Sequence, residues 1–235
     1  MDRKRKPLQH RWWVRLLALG LLGLAGFAIW YWWDIQHFAP DEATFSEQGI
    51  SVGERHGHVG FDTARALGAS FAYLEASAGT SQRDAQFAAN LASARRAGLL
   101  SGGVHRFDPC SGADGQSANF VTMVPRDPDL LPPAIALEWV ADDCETPVSD
   151  AALESELLTF INQVEMHSGK PVILRISEEF EARYGLAGRI ERDLWLVRDR
   201  FQPRYAGRPW LLWTANTARR SEISDVPVEW VVVQP

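Results

Sequence analysis

Three carboxylates and two arginines stand where short apolar runs give way to polar ones. Glu138 ends the run Leu131-Pro132-Pro133-Ala134-Ile135-Ala136-Leu137, Glu75 follows Phe71-Ala72-Tyr73-Leu74, and Glu229 lies in the last apolar run, Val228 to Val233. Arg106 and Arg175 close two further runs. A carboxyl group within hydrogen-bond reach of a reacting oxygen works as a general acid or base. Carboxylates gathered in one mouth raise one another's pKa, which suits an acid. The competing reading is purely electrostatic: Glu75 pairs with Arg106 or Arg175 and the set does no chemistry. The ion pair is favoured, because arginines appear in the same region that holds the glutamates. Other candidates carry less. His56-Gly57-His58 has no third ligand or zinc spacing and reads as a loop. Gly102-Gly103 lies within a strand-like run and is not a phosphate loop. No nucleophilic serine or cysteine arrangement is recognisable, and no metal or cofactor is implied.

These side chains need a frame. Gln48–Val52, Ser70–Leu74, Leu99–Val104, Pro133–Leu137, Pro171–Leu174, Leu194–Val197, Trp210–Trp213 and Val228–Val233 read as strands. Helical spacing runs over Asp84–Ala97, Ser117–Val124 and Asp150–His167, the last N-capped by Ser149 or Asp150 and stopped by Gly169. Alternating strands and helices predict an α/β fold with a parallel sheet, and about eight strands predict a closed, TIM-like (β/α) barrel. Residues 48–235 fall short of the ~250 of eight full βα units. Some helices must therefore be missing, above all after residue 190.

The front of the chain is different. Leu16 to Trp33 carries no charge and is long enough to cross a bilayer. Arg3, Lys4, Arg5, Lys6, Arg11 and Arg15 precede it, while Asp34, Asp41, Glu42 and Glu47 follow. The positive-inside rule then predicts a cytoplasmic segment (1–15), a transmembrane signal anchor (16–33), a stalk (34–47) and an extracytoplasmic, periplasmic domain (48–235) held at the inner (plasma) membrane. A cleaved signal peptide is the rival, but its apolar core is shorter and ends at a small-x-small site, which bulky Trp30 to Trp33 do not provide. Residues 1–33 hold six of the 24 basic and one of the 30 acidic residues, leaving the remainder at −11. That balance argues against nucleic acid or anionic lipid as the outer part's partner. Cys110 and Cys144, both in that part, are expected to form a disulfide joining two successive loops; two unpaired thiols are the alternative.

Several segments, in order, resemble the glycoside hydrolase family 25 lysozymes, muramidases that cut peptidoglycan glycan chains. Gln48-Gly49-Ile50-Ser51-Val52 is similar to the family's G-I-D-V-S, and Leu131 to Glu138 to its L-P-P-x-x-D-x-E. Phe71 to Gly79 resembles F-x-Y-I-K-A-T-E-G, and Asp84-x-x-Phe87-x-x-Asn90 the D-x-x-F-x-x-N that follows it. Gly103 to Phe107 resembles G-x-Y-H-F, Ala94 to Leu99 the A-x-x-A-G-L segment, and Gln116 to Phe120 the Q-A-x-x-F segment. The departures cluster at strand ends, where barrel chemistry sits. Ser51 and Ala136 replace two aspartates, Glu75 a lysine and Arg106 a histidine. Thr214-Ala215 follows Trp213 where the family has W-Q-Y, and Glu229-Trp230-Val231 replaces D-x-N.

The resemblance implies substrate-assisted hydrolysis, in which the sugar's acetamido group attacks the anomeric carbon. Glu138 would protonate the leaving oxygen, and the aspartate two residues earlier would orient the acetamido group. Residues two apart on a strand share a face, so 136 and 138 point the same way, but alanine performs no such role. A positioned acid alone gives about 10²–10⁴-fold, and two carboxyl groups are the usual requirement. The expectation is thus a membrane-anchored lysozyme-like pseudoenzyme, its muramidase activity lost or weakened, that binds peptidoglycan glycan or a cell-envelope protein. Ser51, Arg106, Trp139, Trp195 and Trp213 are its candidate sugar contacts, although each tryptophan serves equally well as barrel packing. Two alternatives stand beside it. One is an active muramidase with Glu138 as acid and Glu75 or Glu229 as a relocated second carboxylate. The other is an interaction module whose mouth is filled by salt bridges.

Overall fold

The computed structural model describes residues 8–235, so residues 1–7 of the basic segment lie outside it. The chain forms two compact units, Met1–His37 and Phe38–Pro235. The first is one helix, α1 (Leu8–His37), whose stretch Trp12–His37 is long and apolar enough to cross a membrane. It runs past both ends of the expected span.

In the second unit the strands are β1 (Gln48–Val52), β2 (Ala69–Ala78), β3 (Gln82–Arg83), β4 (Leu100–Arg106), β5 (Ala134–Leu137), β6 (Ile173–Ile176), β7 (Asp193–Val197), β8 (Leu212–Arg219) and β9 (Val228–Val233). The helices are α2 (Phe61–Ala66), α3 (Phe87–Arg96), α4 (Ala113–Met123), α5 (Asp150–Ser168) and α6 (Glu178–Tyr184). Strand order β1-β9-β8-β7-β6-β5-β4-β2, with β1 also pairing β2, closes an eight-strand barrel, and β3 is a short hairpin strand at its edge. No helix separates β7, β8 and β9 among the described residues, as the short chain length requires.

The sheet is not wholly parallel. β9 runs antiparallel to both β8 and β1. Only residues 220–227 link β8 to β9, whereas a parallel return needs a crossover of a dozen residues or more. A hairpin is the closure that so short a link permits. The expected stalk differs as well. Asp34–His37 continue α1, and the following residues form a strap on the barrel, with Phe45 buried and Gln48 Nε2 donating to the carbonyls of Pro40 and Phe45.

Alternation along the strands sorts the core into two layers. Phe71, Tyr73, Val104, Ala134, Ala136, Ile173, Trp195, Leu212 and Val231 fill the barrel, and a larger set packs between strands and helices. The interior aromatics need small neighbours. A Cβ on Gly102 would lie 2.5 Å from the Tyr73 ring, and one on Gly49 would lie 2.5 Å from Phe71. On the outside, α5 buries Leu153, Leu157, Phe160, Ile161 and Val164. Ser149, rather than Asp150, caps it by accepting from Ala152 N, and Gly169 ends it in the left-handed region at φ 72°. Cys110 and Cys144 are joined as expected, tying the loop after β4 to the loop after β5.

His105 faces this outer layer, fully buried between Phe120 and Phe160, with Ser77 at 2.8 Å from Nδ1 and Gln116 Oε1 at 3.3 Å from Nε2. Burial lowers its pKa to about 4 from 6.5. The unfolded chain therefore binds the proton more readily, and this contribution to stability is complete above pH 6.5 and lost as pH falls towards 4. It amounts to ~3 kcal/mol at one pKa unit per ~1.4 kcal/mol. Urea unfolding of the full chain in detergent should show that slope, and His105→Gln should flatten it. An unchanged slope in the variant would place the proton uptake elsewhere.

Candidate functional site

The upper end of the barrel interior is built from charge. Counting upward by twos, β2 presents Phe71, Tyr73 and then Glu75; β5 presents Ala134, Ala136 and then Glu138; β6 presents Ile173 and then Arg175. β4 brings Val104 and then Arg106, while β9, descending, brings Glu229 beside Ser51 of β1. One arginine comes from outside the strands, Arg55, on the single turn Glu54–His56 after β1.

These six ions close a ring in which every charge touches two of the opposite sign. Arg106 bridges Glu75 (3.3 Å) and Glu138 (3.4 Å). Arg175 bridges Glu138 (3.2 Å) and Glu229 (3.0 Å). Arg55 bridges Glu229 (3.2 Å) and Glu75 (3.5 Å). Two of these contacts are also directed hydrogen bonds, donated to Glu229 Oε1 by Arg175 at 3.1 Å and by Arg55 at 3.2 Å. The ring is deepest at Arg175 and Glu229, whose side chains are each 7% exposed, and shallowest at Arg55, at 52%. Burial by itself would lower the Arg175 pKa; the carboxylates of Glu229, Glu138 and Glu75 more than offset this and raise it.

Ala136 explains how two arginines fit. It is paired in register with Arg106 on one side and Arg175 on the other, and it is buried. A methyl group there leaves space for both guanidinium stems and adds no charge. What remains open is a groove of about 240 Å³ lined by Glu54, Arg55, Glu75, Arg83, Asp84 and Arg106, among others. This is below the ~300–1,000 Å³ usual for small-molecule sites, because the protein's own ions occupy the mouth. Arg83 is steadied by Asn119 Oδ1 at 2.9 Å. Asp84 accepts from Glu54 N and Gln86 N, and burial, ahead of those bonds, leaves its pKa raised.

The sequence candidates separate accordingly. Glu75, Arg106, Glu138 and Glu229 meet in the ring, with Glu75 paired to Arg106 and not to Arg175. Ser51 is buried next to it, opposite Glu229 in register. Trp139 is 40% exposed at the mouth, with the Arg106 guanidinium 5.5 Å from its ring centre. Trp195 is fully buried in the barrel, donating to Thr214 Oγ1 at 2.8 Å. Trp213 faces outward, because Leu212 and Thr214 take the inward positions, and it packs with Phe45 and Trp210. Both have the packing role in this structure and expose no ring face to the mouth. Arg55 was missed. Its signal was arithmetic, since three glutamates faced only two arginines. His56 is buried, with Nδ1 2.9 Å from its own turn's Gly53 N, and no cluster able to hold a metal occurs among the described residues.

Comparison with known proteins follows the fold. The family model described as glycosyl hydrolases family 25 matches residues 50–217. Lysozyme M1 of Streptomyces globisporus is 32% identical over 87 residues, 34% of this chain and 30% of that protein, so the match spans under a third of this relative's length. A family 25 glycosyl hydrolase from Bacillus anthracis superposes with a TM-score of 0.75 at 23% identity, covering 85% of this chain and 93% of that one. The bacterial lysozyme from Streptomyces coelicolor gives 0.70 at 21%, over 80% and 92%. The two structures share the fold.

Breaking a buried ion pair by removing one partner costs about 3–5 kcal/mol. Arg175→Met leaves buried Glu229 with Arg55 alone, so a loss of that order in urea unfolding is expected, partly recovered by adding Glu229→Gln. A single variant as stable as the parent would show that the ring carries no such strain.

Proposed function

This chain belongs to glycosyl hydrolase family 25, and from that premise we propose a membrane-anchored domain that holds peptidoglycan glycan at the cell envelope without cutting it at ordinary muramidase rates. The observation that carries the reading is the state of Glu138. Its Oε1 lies 3.2 Å from Arg175 and its Oε2 3.4 Å from Arg106, so each oxygen faces a guanidinium. A general acid must stand about 2.6–3.2 Å from the oxygen it protonates. A sugar oxygen at that distance would have to share Glu138 with two guanidiniums already within 3.4 Å of it.

The partner of such an acid is missing as well. Ala136 offers a methyl where an acetamido nitrogen needs an acceptor. Glu75 and Glu229 do not replace it as a free carboxylate, since each is held between two arginines. This supports weakened or lost hydrolysis over an active muramidase with a relocated second carboxylate. For binding, Trp139 offers an exposed indole and Arg83 a guanidinium steadied by Asn119. The helix α1 supports anchoring by its length and apolar composition, and the basic residues before it support a cytoplasmic N-terminus.

Purified sacculi incubated with the full chain in detergent test this directly. Saturable binding is expected, weakened roughly 3–10-fold by Trp139→Ala if stacking contributes about 0.5–1.5 kcal/mol. Release of reducing ends should not exceed that of Glu138→Gln. Release that Glu138→Gln abolishes would restore the hydrolase, and absence of both binding and release would favour a protein partner.

A further inference from the structure

The barrel unit begins at the mouth. Phe38, its first residue, accepts a hydrogen bond from Asn216 Nδ2 at 3.0 Å near the end of β8, and Arg200, in the loop leaving β7, lies 5.1 Å over its ring. From Phe38 the strap descends the outside of the barrel to β1 at the other end, with Phe45 stacked 6.5 Å from Trp210 on the way. His37, the last residue of α1, directly precedes Phe38 in the chain.

The rim around that junction has its own composition. Phe201 is 67% exposed, flanked by exposed Arg198 and Arg204, and exposed Arg220 lies at the neighbouring strand end. Arg219 beside it stacks 3.9 Å over Trp230. Asp199, the acid within this loop, is engaged by Thr217 through its N (2.7 Å) and Oγ1 (3.1 Å). Glu222 and Asp225 lie further along, in the loop to β9. Arginines around an exposed aromatic suit a bilayer interface, where guanidiniums meet phosphates and the ring enters the headgroup boundary. The net charge of −11 beyond residue 33 points away from anionic lipid. At a Debye length of about 8–10 Å, however, contact is governed by the local surface and not by the domain average.

We propose that the exposed Arg198, Arg204 and Arg220 form a lipid-docking rim around Phe201, with its ring seated among phospholipid headgroups and these three arginines on their phosphates. The inference rests on the anchored reading above. Its consequence is that the ring of ions opens towards the membrane surface, so the glycan it meets is the layer lying against the bilayer.

The test uses the full chain reconstituted into phosphatidylglycerol/phosphatidylcholine bilayers and carrying a spin label at Phe201→Cys. A second sample is labelled at Met166→Cys, a position 75% exposed at the end of α5 away from the mouth. The label at 201 should collide several-fold less with a water-soluble nickel complex and more with oxygen than the label at 166, and Arg198→Gln with Arg220→Gln should reduce the difference. Equal nickel exposure at the two positions in a chain that resists carbonate extraction would overturn the docking rim alone. Extraction of the chain by carbonate would overturn the anchor, and the rim with it.

Discussion

Electroneutral closure of the barrel mouth is the constraint on which the site depends. Charges set at the top of a packed barrel are partly withdrawn from water, and one left without a partner costs several kcal/mol. Three glutamates and three arginines meet that cost by alternating, so that no member relies on one contact. Geometry then limits the chemistry. A ring member that acts as acid, base or ligand does so in competition with the opposite charges already facing it, and that competition is strongest at the deepest pair, Arg175 and Glu229.

The rest of the fold serves this layer. Gly49 and Gly102 admit Phe71 and Tyr73, which with Trp195 form a solid floor beneath the ions. The Arg175 guanidinium lies 5.1 Å over the Trp195 ring, so the floor also meets the deepest cation with a π face. The antiparallel return of β9 matters for the same reason. Descending beside β1, it delivers Glu229 at the height of Ser51 and completes the side of the ring that parallel strands leave open.

Much of this was legible in the sequence. Apolar runs located eight barrel strands, and the β1 and β9 boundaries coincide with those runs. The cysteine pair and the Gly169 stop were equally readable, since each rests on local chemistry. Direction and depth were not. The orientation of β9 depends on the length of the link before it, and Trp213 looks like a sugar platform until alternation with Leu212 turns it outward. Arg55 escaped because it belongs to a turn, where no periodicity assigns a facing side. The glutamates and two of the arginines were visible one by one, but their closure into a ring is a property of barrel curvature.

The central claim is that Glu138 is bound into the ring by Arg175. A double-mutant cycle on the full chain, combining Glu138→Gln with Arg175→Met and reading stability by urea unfolding, measures that contact apart from the others. The account predicts a coupling energy of about 0.5–3 kcal/mol, the range for residues within one ion-pair network. Additive losses, with coupling indistinguishable from zero, would mean that Arg175 does not hold Glu138 and would contradict the closed ring.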